Sequence, residues 1–274
     1  MENTNILESE LKAKAKNIRK NIVDMIYMAS SGHPGGALSI ADILTTLYFV
    51  EMNVSQLEQD DPNRDRLVLS KGHASAALYA VLAERGFIRE EELKTFRQIN
   101  SHLQGHPDMR KVPGVDMTTG SLGQGLSAAN GMALAAKMDK RDSRIYCILG
   151  DGELGEGQVW EAAMTASHYK LDNLCVIVDN NNLQIDGVIT QVMNTLPIDK
   201  KFKEFGFEVI TTDGHDFNKL ISSFEKAREV KGKPTCIICK TTKGKGVSYM
   251  ENEVKWHGKA PNEEEYTKAM SELR

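Results

Sequence analysis

Two stretches decide the fold: residues 145–153 read Ile-Tyr-Cys-Ile-Leu-Gly-Asp-Gly-Glu, and residues 174–182 read Leu-Cys-Val-Ile-Val-Asp-Asn-Asn-Asn. Each begins with a nearly continuous apolar run, which is typical of a strand buried on both faces of a parallel sheet. Further strand-like runs lie at 66–70, 207–211 and 235–240, and helical segments lie between most of them. This alternation predicts an α/β fold: a doubly wound parallel sheet with helices on both faces.

The helical segments show apolar residues at the spacing of an α-helix. The chain has 274 residues, which is enough for one large domain of this kind, and we expect a single domain over 1–274. The predicted helices cover about residues 8–30, 40–49, 74–85, 90–98, 124–138, 157–169 and 216–230, with a loop from Ser31 to Gly36 and a terminal helix capped by Asn262.

Composition excludes several classes of protein. The chain has 34 basic and 38 acidic residues, a net charge of −4, and a nucleic-acid-binding protein normally has a basic excess. No apolar run approaches the roughly 20 residues of a membrane span, and residues 1–10 lack the pattern of a signal peptide, so we expect a cytoplasmic protein. The four cysteines lie in apolar runs and are predicted to be buried thiols: Cys147, Cys175, Cys236 and Cys239.

Polar residues follow the two strands that decide the fold. The first strand ends in Gly150-Asp151-Gly152-Glu153, and the second leads into the asparagines of 180–182; 27 residues lie between Gly152 and Asn180. That length fits one crossover helix and a strand, so both loops are predicted to emerge at the same edge of the sheet, where ligands of such folds bind. Oxygen ligands and a glycine-flanked helix N-terminus predict a site for magnesium and a diphosphate.

The chain resembles the transketolases. The Gly150–Gly152 and Asn180–Asn181 pair looks like the thiamine-diphosphate signature, and other segments narrow the resemblance over nearly the whole chain. Those segments are Ser31–Gly35, Leu69–His73, Gly105–Pro107, Thr119–Gly125 and Trp256–Gly258.

The resemblance implies that thiamine diphosphate is the cofactor, bound with Mg²⁺ (or Ca²⁺ or Mn²⁺). The implied metal ligands are the side chains of Asp151 and Asn181 and the backbone carbonyl of Leu183. The implied cofactor-binding residues are His73, Gly120, Ser121, Leu122, Gly150, Asp151, Gly152, Glu153 and Asn181. One position departs from the family pattern, because Asn180 replaces an acidic residue that is not itself a ligand.

The resemblance also implies catalytic histidines and a second chain. His33, His106 and His257 are expected to face the hydroxyls and carbonyl of the donor sugar, and His73 the diphosphate. An ordinary imidazole pKa lies near working pH, which suits proton transfer. The chain covers only the diphosphate-binding part of a transketolase. The implied partner is therefore a C-terminal subunit with the pyrimidine-binding domain, in a two-plus-two heterotetramer, with sugar phosphates as substrates, no nucleic acid and no membrane.

The predicted reaction is transfer of a two-carbon ketol unit from a ketose phosphate to an aldose phosphate through a carbanion on thiamine diphosphate, as in the pentose phosphate pathway. Alternatives are a transketolase for unusual or sulfonated sugars, a 1-deoxyxylulose-5-phosphate synthase-like chain, an α-type chain of a 2-oxoacid dehydrogenase and a non-catalytic cofactor-binding protein. Two features stay open. The loop of 243–246 is a cover for the cofactor or a solvated turn, and Glu156 and Glu161 are solvated acids or acids between two active sites.

Overall fold

The structure, a computed structural model, describes residues 2–55 and 61–274, and Met1 lies outside that range. Its main sheet is five-stranded and parallel, in the order β1-β2-β3-β7-β6, and a two-stranded antiparallel hairpin of β4 and β5 lies beside it. The predicted parallel sheet is confirmed. The strands are β1 Arg66–Leu69, β2 Ile145–Gly150, β3 Leu174–Asn180, β4 Leu183–Gln184, β5 Gly187–Val188, β6 Glu208–Asp213 and β7 Thr235–Lys240.

Helices cover both faces of the sheet, as the sequence predicts. Side chains of β2 alternate between two apolar clusters: Tyr146 and Ile148 belong to one, Cys147 and Leu149 to the other. Helices α1 to α4, α9 and α10 contribute to the first cluster, whereas α5, α6 and α8 contribute to the second. The helices are α1 Glu2–Met28, α2 Pro34–Leu38, α3 Ala41–Thr46, α4 Ser75–Glu84, α5 Gln124–Met138, α6 Gly157–His168, α7 Ile189–Val192, α8 Ile198–Glu204, α9 Phe217–Glu229 and α10 Glu263–Glu272.

The register brings three strand ends to one edge. Gly150 at the end of β2 lies opposite Asp179 of β3, and Asn180 lies opposite Lys240 of β7. Because the strands are parallel, the loops that follow them leave the sheet on the same side. That edge is where the polar residues singled out by the sequence meet.

Several local predictions were wrong. The helix predicted at 40–49 is α3 followed by a wider π-helical turn, Leu47–Glu51. The helix predicted at 90–98 is a 3₁₀ helix, Glu90–Thr95, which stops where Phe96 turns to extended geometry and buries its ring. The loop predicted at Ser31–Gly36 gives way to α2 at Pro34, since proline is favoured at the first position of a helix. The helices α7 and α8 and the β4–β5 hairpin were not predicted from the sequence.

Two predictions about side chains are confirmed. All four cysteines are buried free thiols, and burial raises the pKa of the Cys175 thiol to about 12. Asn262 caps α10, because its side chain accepts from the amide of Glu265 while the Glu265 carboxylate accepts from the amide of Asn262. Among the described helices, none has the length and apolar character that crossing a membrane requires.

Candidate active site

The loop after β3 wraps around the Asp151 carboxylate. Oδ2 of Asp151 accepts from the side chain of Asn180 (3.1 Å) and from the amide of Asn182 (2.5 Å), and Oδ1 accepts from the amide of Gly152 (2.8 Å). These bonds reach both neighbours of Asn181. The two loops predicted to share an edge therefore interlock at Asp151.

Asn181 has a fixed orientation. Its Nδ2 donates to Asp179 Oδ2 (3.0 Å), and its Oδ1 accepts from the amide of Leu183 (3.1 Å). Asp151, Asn181 and Leu183 line one cavity, together with Gly150, Gly152, Glu153, Gln184 and Ile185. The structure thus brings together all three residues predicted to hold a metal.

The chemistry of this cavity fits a hard divalent cation. Burial, and next the charge of Asp179, raise the pKa of Asp151 to about 6, which marks a carboxylate lacking a compensating positive neighbour. The buried Oε1 of Gln184 has no hydrogen-bond partner among the described residues. No group of three or more His, Cys, Asp or Glu side chains with metal-binding geometry occurs in the described ranges. The available ligands are therefore one carboxylate with amide and carbonyl oxygens, which suits Mg²⁺.

Glu153 lies at the cavity, but its carboxylate points into the protein. Oε1 accepts from the amide of Gly123 (2.9 Å) and from the hydroxyl of Ser70, and Oε2 accepts from the amide of Gly150 (3.0 Å). Burial raises the pKa of this carboxyl. The side chain joins the loops that precede α4, α5 and α6, so its contribution to the site is to hold these loops together.

Three of the four predicted histidines form a triangle at the cavity. The ring centroids lie 5.2 Å apart for His33 and His73, 5.4 Å for His33 and His257, and 5.3 Å for His73 and His257. Burial, with positive neighbours, lowers the pKa of His33 and of His257 to about 4 and that of His73 well below its ordinary value. The expectation of an ordinary imidazole pKa is wrong for this state of the cavity.

His106 lies at the mouth of the site, apart from that triangle. Its side chain is exposed, and its ring lies against Gly120, where a Cβ atom would come within 3.0 Å of the His106 Cδ2 atom. Burial, and next the charge of Arg97, lower the pKa of His106. Ser121 is exposed beside it and Leu122 lines the cavity, so the predicted cofactor-binding segment borders the same opening.

A buried ion pair beneath the cavity was not predicted from the sequence. Lys71 Nζ lies 2.5 Å from Asp179 Oδ2 and donates to the carbonyl of Gly36 (2.9 Å). Lys71 is 2% exposed and Asp179 is wholly buried. Since an ammonium has three donors, the third is left for the cavity, which Lys71 lines.

Lys243 settles the question left open for the 243–246 loop. Its side chain is buried in the cavity, and its Nζ lies 3.1 Å from Nδ1 of His257. Burial, and next the charge of Lys71, lower its pKa to about 8. The loop therefore covers the site. Glu156 and Glu161, by contrast, are exposed at the start and on the outer face of α6.

Comparison with known proteins gives the family. Residues 11–273 match the family model described as "Transketolase, thiamine diphosphate binding domain". The chain therefore belongs to the transketolase family, as its N-terminal, thiamine-diphosphate-binding part. The predicted cofactor, thiamine diphosphate, and the predicted enzyme class, a transketolase-type transferase, are thereby confirmed.

Relatives of two lengths match. One of the two kinds of chain in the apulose-4-phosphate transketolase of Phocaeicola vulgatus is 44% identical over 96% of this chain and 93% of its own length. The 6-deoxy-6-sulfo-D-fructose transketolase subunit SqwG of Clostridium sp. is 45% identical over 96% of both chains. Human transketolase is 46% identical over 91% of this chain but only 40% of its own length. The predicted N-terminal subunit of a split transketolase is confirmed.

Solved structures confirm the fold. The transketolase of Campylobacter jejuni superposes with a TM-score of 0.90 at 39% identity, over 96% of this chain and 42% of that one. A transketolase from Leishmania mexicana gives a TM-score of 0.89 at 34% identity, over 96% of this chain and 41% of that one. The chain thus spans about two-fifths of the length of these transketolases.

Proposed function

We propose that this chain holds the metal and diphosphate half of a transketolase site and that a second subunit completes it. One observation supports this most: Asp151 and Asn181 line the same cavity as Lys71, Lys243 and the histidines. Oxygen ligands for a cation and two ammonium groups for an anion lie together there. A magnesium diphosphate is a ligand that needs both.

The roles of the residues at the cavity floor follow from their geometry. Asp151, the Oδ1 atom of Asn181 and the carbonyl of Leu183 hold Mg²⁺. The ammonium groups of Lys71 and Lys243 hold the diphosphate with the backbone of Gly152. Bound there, thiamine diphosphate supplies a carbon nucleophile and an electron sink for ketol transfer.

The histidines orient and protonate the sugar. Nδ1 of His33 lies 3.3 Å from an Arg97 nitrogen that can only donate, and Nδ1 of His257 lies 3.1 Å from the Lys243 ammonium. Both Nδ1 atoms therefore accept, which leaves the ring proton on Nε2 in each neutral ring. His33 and His257 thus present N–H donors to the carbonyl and hydroxyl oxygens of a donor sugar. His106, at the exposed rim, binds farther along it.

The reaction we propose is transfer of a two-carbon unit from a ketose phosphate to an aldose phosphate. The partner is a C-terminal subunit with the pyrimidine-binding domain, in a cytoplasmic assembly of two copies of each chain. A second candidate is transfer from an unusual sugar, because the relatives matched over nearly their whole length are named for apulose 4-phosphate and for a sulfonated fructose. Assaying the assembled enzyme with a phosphorylated and a sulfonated ketose distinguishes the two candidates.

The test uses the chain with its partner subunit. In this complex, Asp151→Ala should abolish magnesium-dependent binding of thiamine diphosphate, measured by titration calorimetry, since it removes the carboxylate ligand. Asp142→Ala is the matched control, because Asp142 is exposed beyond α5. Unchanged affinity in Asp151→Ala refutes the metal assignment. Ketol transfer by this chain without a second subunit refutes the half-site proposal.

A further inference from the structure

A histidine outside the cavity bonds to the loop that carries Lys243. The amide of Thr242 donates to Nε2 of His215 (2.9 Å), and on the other side of Lys243 the carbonyl of Lys245 accepts from Nε of Arg19 (3.1 Å). The residue between these two contacts is the one that enters the cavity. His215 lies outside every segment that carries the resemblance to the transketolases.

A buried carboxylate joins the two contacts. Asp42 accepts from Arg19 through both oxygens, Nη1 to Oδ1 at 2.9 Å and Nη2 to Oδ2 at 2.6 Å. Oδ2 of Asp42 also lies 2.7 Å from Nδ1 of His215. Since Nε2 of His215 accepts from the Thr242 amide, the ring proton lies on Nδ1 and is donated to Asp42.

This chain of bonds is built for one arrangement. Burial alone would raise the pKa of Asp42, but the hydrogen bond from His215 and the charge of Arg19 lower it below its ordinary value. The turn before His215 also fits closely: a Cβ atom on Gly214 would lie 2.5 Å from the Thr241 methyl group. Only glycine permits this approach of the 213–215 turn to the loop.

We propose that His215, held by Asp42 and Arg19, is a positioning residue that keeps Lys243 in the cofactor cavity. It acts through the backbone of the 241–245 loop and touches neither cofactor nor substrate. A lysine has a long flexible side chain, and fixing its backbone on both sides reduces the entropy lost when Nζ binds an anion. The inference rests on the proposed cofactor site for its functional meaning.

The first measurement needs neither cofactor nor partner. In His215→Phe, the amides of Gly244 and Lys245 should exchange with solvent at least about fivefold faster, because loss of one hydrogen bond shifts the opening equilibrium by that order. In the native chain these amides bond elsewhere, to the carbonyls of Gly35 and Thr242. The amide of Lys71, on the carbonyl of Ile148, should not change. His168→Phe is the control, since His168 is exposed at the end of α6.

The second measurement tests the role toward the cofactor in the complex of both subunits. His215→Phe should weaken binding of thiamine diphosphate about tenfold, and the loss should be absent when Lys243→Met is already present. A residue that merely stabilises the fold would weaken binding in both backgrounds. His215→Gln, whose amide offers one donor and one acceptor, should restore part of the affinity.

Three results would overturn the proposal: unchanged exchange of the Gly244 and Lys245 amides, faster exchange throughout the sheet, or an affinity loss that adds fully to that of Lys243→Met. If the unaltered complex binds no thiamine diphosphate, the proposed function itself is contradicted. If the unaltered complex binds and His215→Phe binds equally well, only the positioning role fails.

Discussion

Asp179→Asn is the substitution for which the structure gives the clearest expected loss of stability. Asp179 is wholly buried, and its carboxylate accepts from Ser39 Oγ (2.7 Å), Lys71 Nζ (2.5 Å), Asn181 Nδ2 (3.0 Å) and the hydroxyl of Thr241. Burial alone would raise the pKa of Asp179, but the charge and hydrogen bond of Lys71 hold it below its ordinary value. The carboxylate is therefore ionised and paired.

The expected magnitude follows from what the substitution leaves behind. Three of the four donors meet Oδ2, so an asparagine oxygen placed there keeps three hydrogen bonds and loses only the one from Thr241. The charge is lost in every orientation. Lys71 then becomes a cation that is 2% exposed and has no counter-charge. Breaking a buried pair in this way costs about 3–5 kcal/mol, a large part of a typical stability of about 5–15 kcal/mol.

Urea denaturation of the single variants and of Asp179→Asn/Lys71→Met measures this. The double variant should be at least about 2 kcal/mol more stable than Asp179→Asn alone, because it removes the stranded ammonium. A loss below about 1 kcal/mol in Asp179→Asn, or two losses that simply add in the double variant, would contradict the assignment of a charged, mutually dependent pair.

Three further outcomes test the site and the fold. Gly125→Ala should lower the free energy of unfolding by about 1–3 kcal/mol, since its Cβ would lie 2.4 Å from Ser70 Oγ, whereas Gly131→Ala on the same helix meets no atom within 4 Å and should raise it by about 0.5–1 kcal/mol; thermal unfolding measures both, and equal effects would contradict the packing. His257→Asn should lower kcat about 10²–10⁴-fold but cofactor affinity less than tenfold, and steady-state kinetics showing the reverse would reassign His257 to cofactor binding. The cofactor-free chain should lose stability as pH falls from 6.5 towards 4, because the pKa values of His33 and His257, about 4 in the folded chain, lie below the unfolded value, so the unfolded state binds more protons there; chemical denaturation should find this slope reduced in the double asparagine variant, and an unchanged slope would contradict the lowered pKa values.

The sequence could predict the edge of the sheet that forms the site, because strand runs and loop spacing are local signals. Gly150 to Glu153 and the asparagines after Asp179 each follow a buried strand, and parallel strands place their ends together. The sequence could not predict the pairing of Lys71 with Asp179, which are 108 positions apart, or that of Asp42 with His215, which are 173 apart. Such contacts depend on which helix covers which strand, and no periodicity in the sequence encodes that.

The same charges explain both the affinity expected of the cavity and the state of its histidines. Lys71 and Lys243 are positive groups that lower the pKa of His33, His73 and His257, after the larger effect of burial. Both ammonium groups are held at the cavity by contacts from behind, Lys71 by Asp179 and Lys243 by the loop on His215. An anion bound between them offsets the positive charge that keeps the histidine rings neutral, so their pKa values rise towards the ordinary range. Occupancy of the diphosphate site and the proton affinity of the sugar-facing histidines are therefore linked, and the link passes through two lysines that no family motif predicted as ligands.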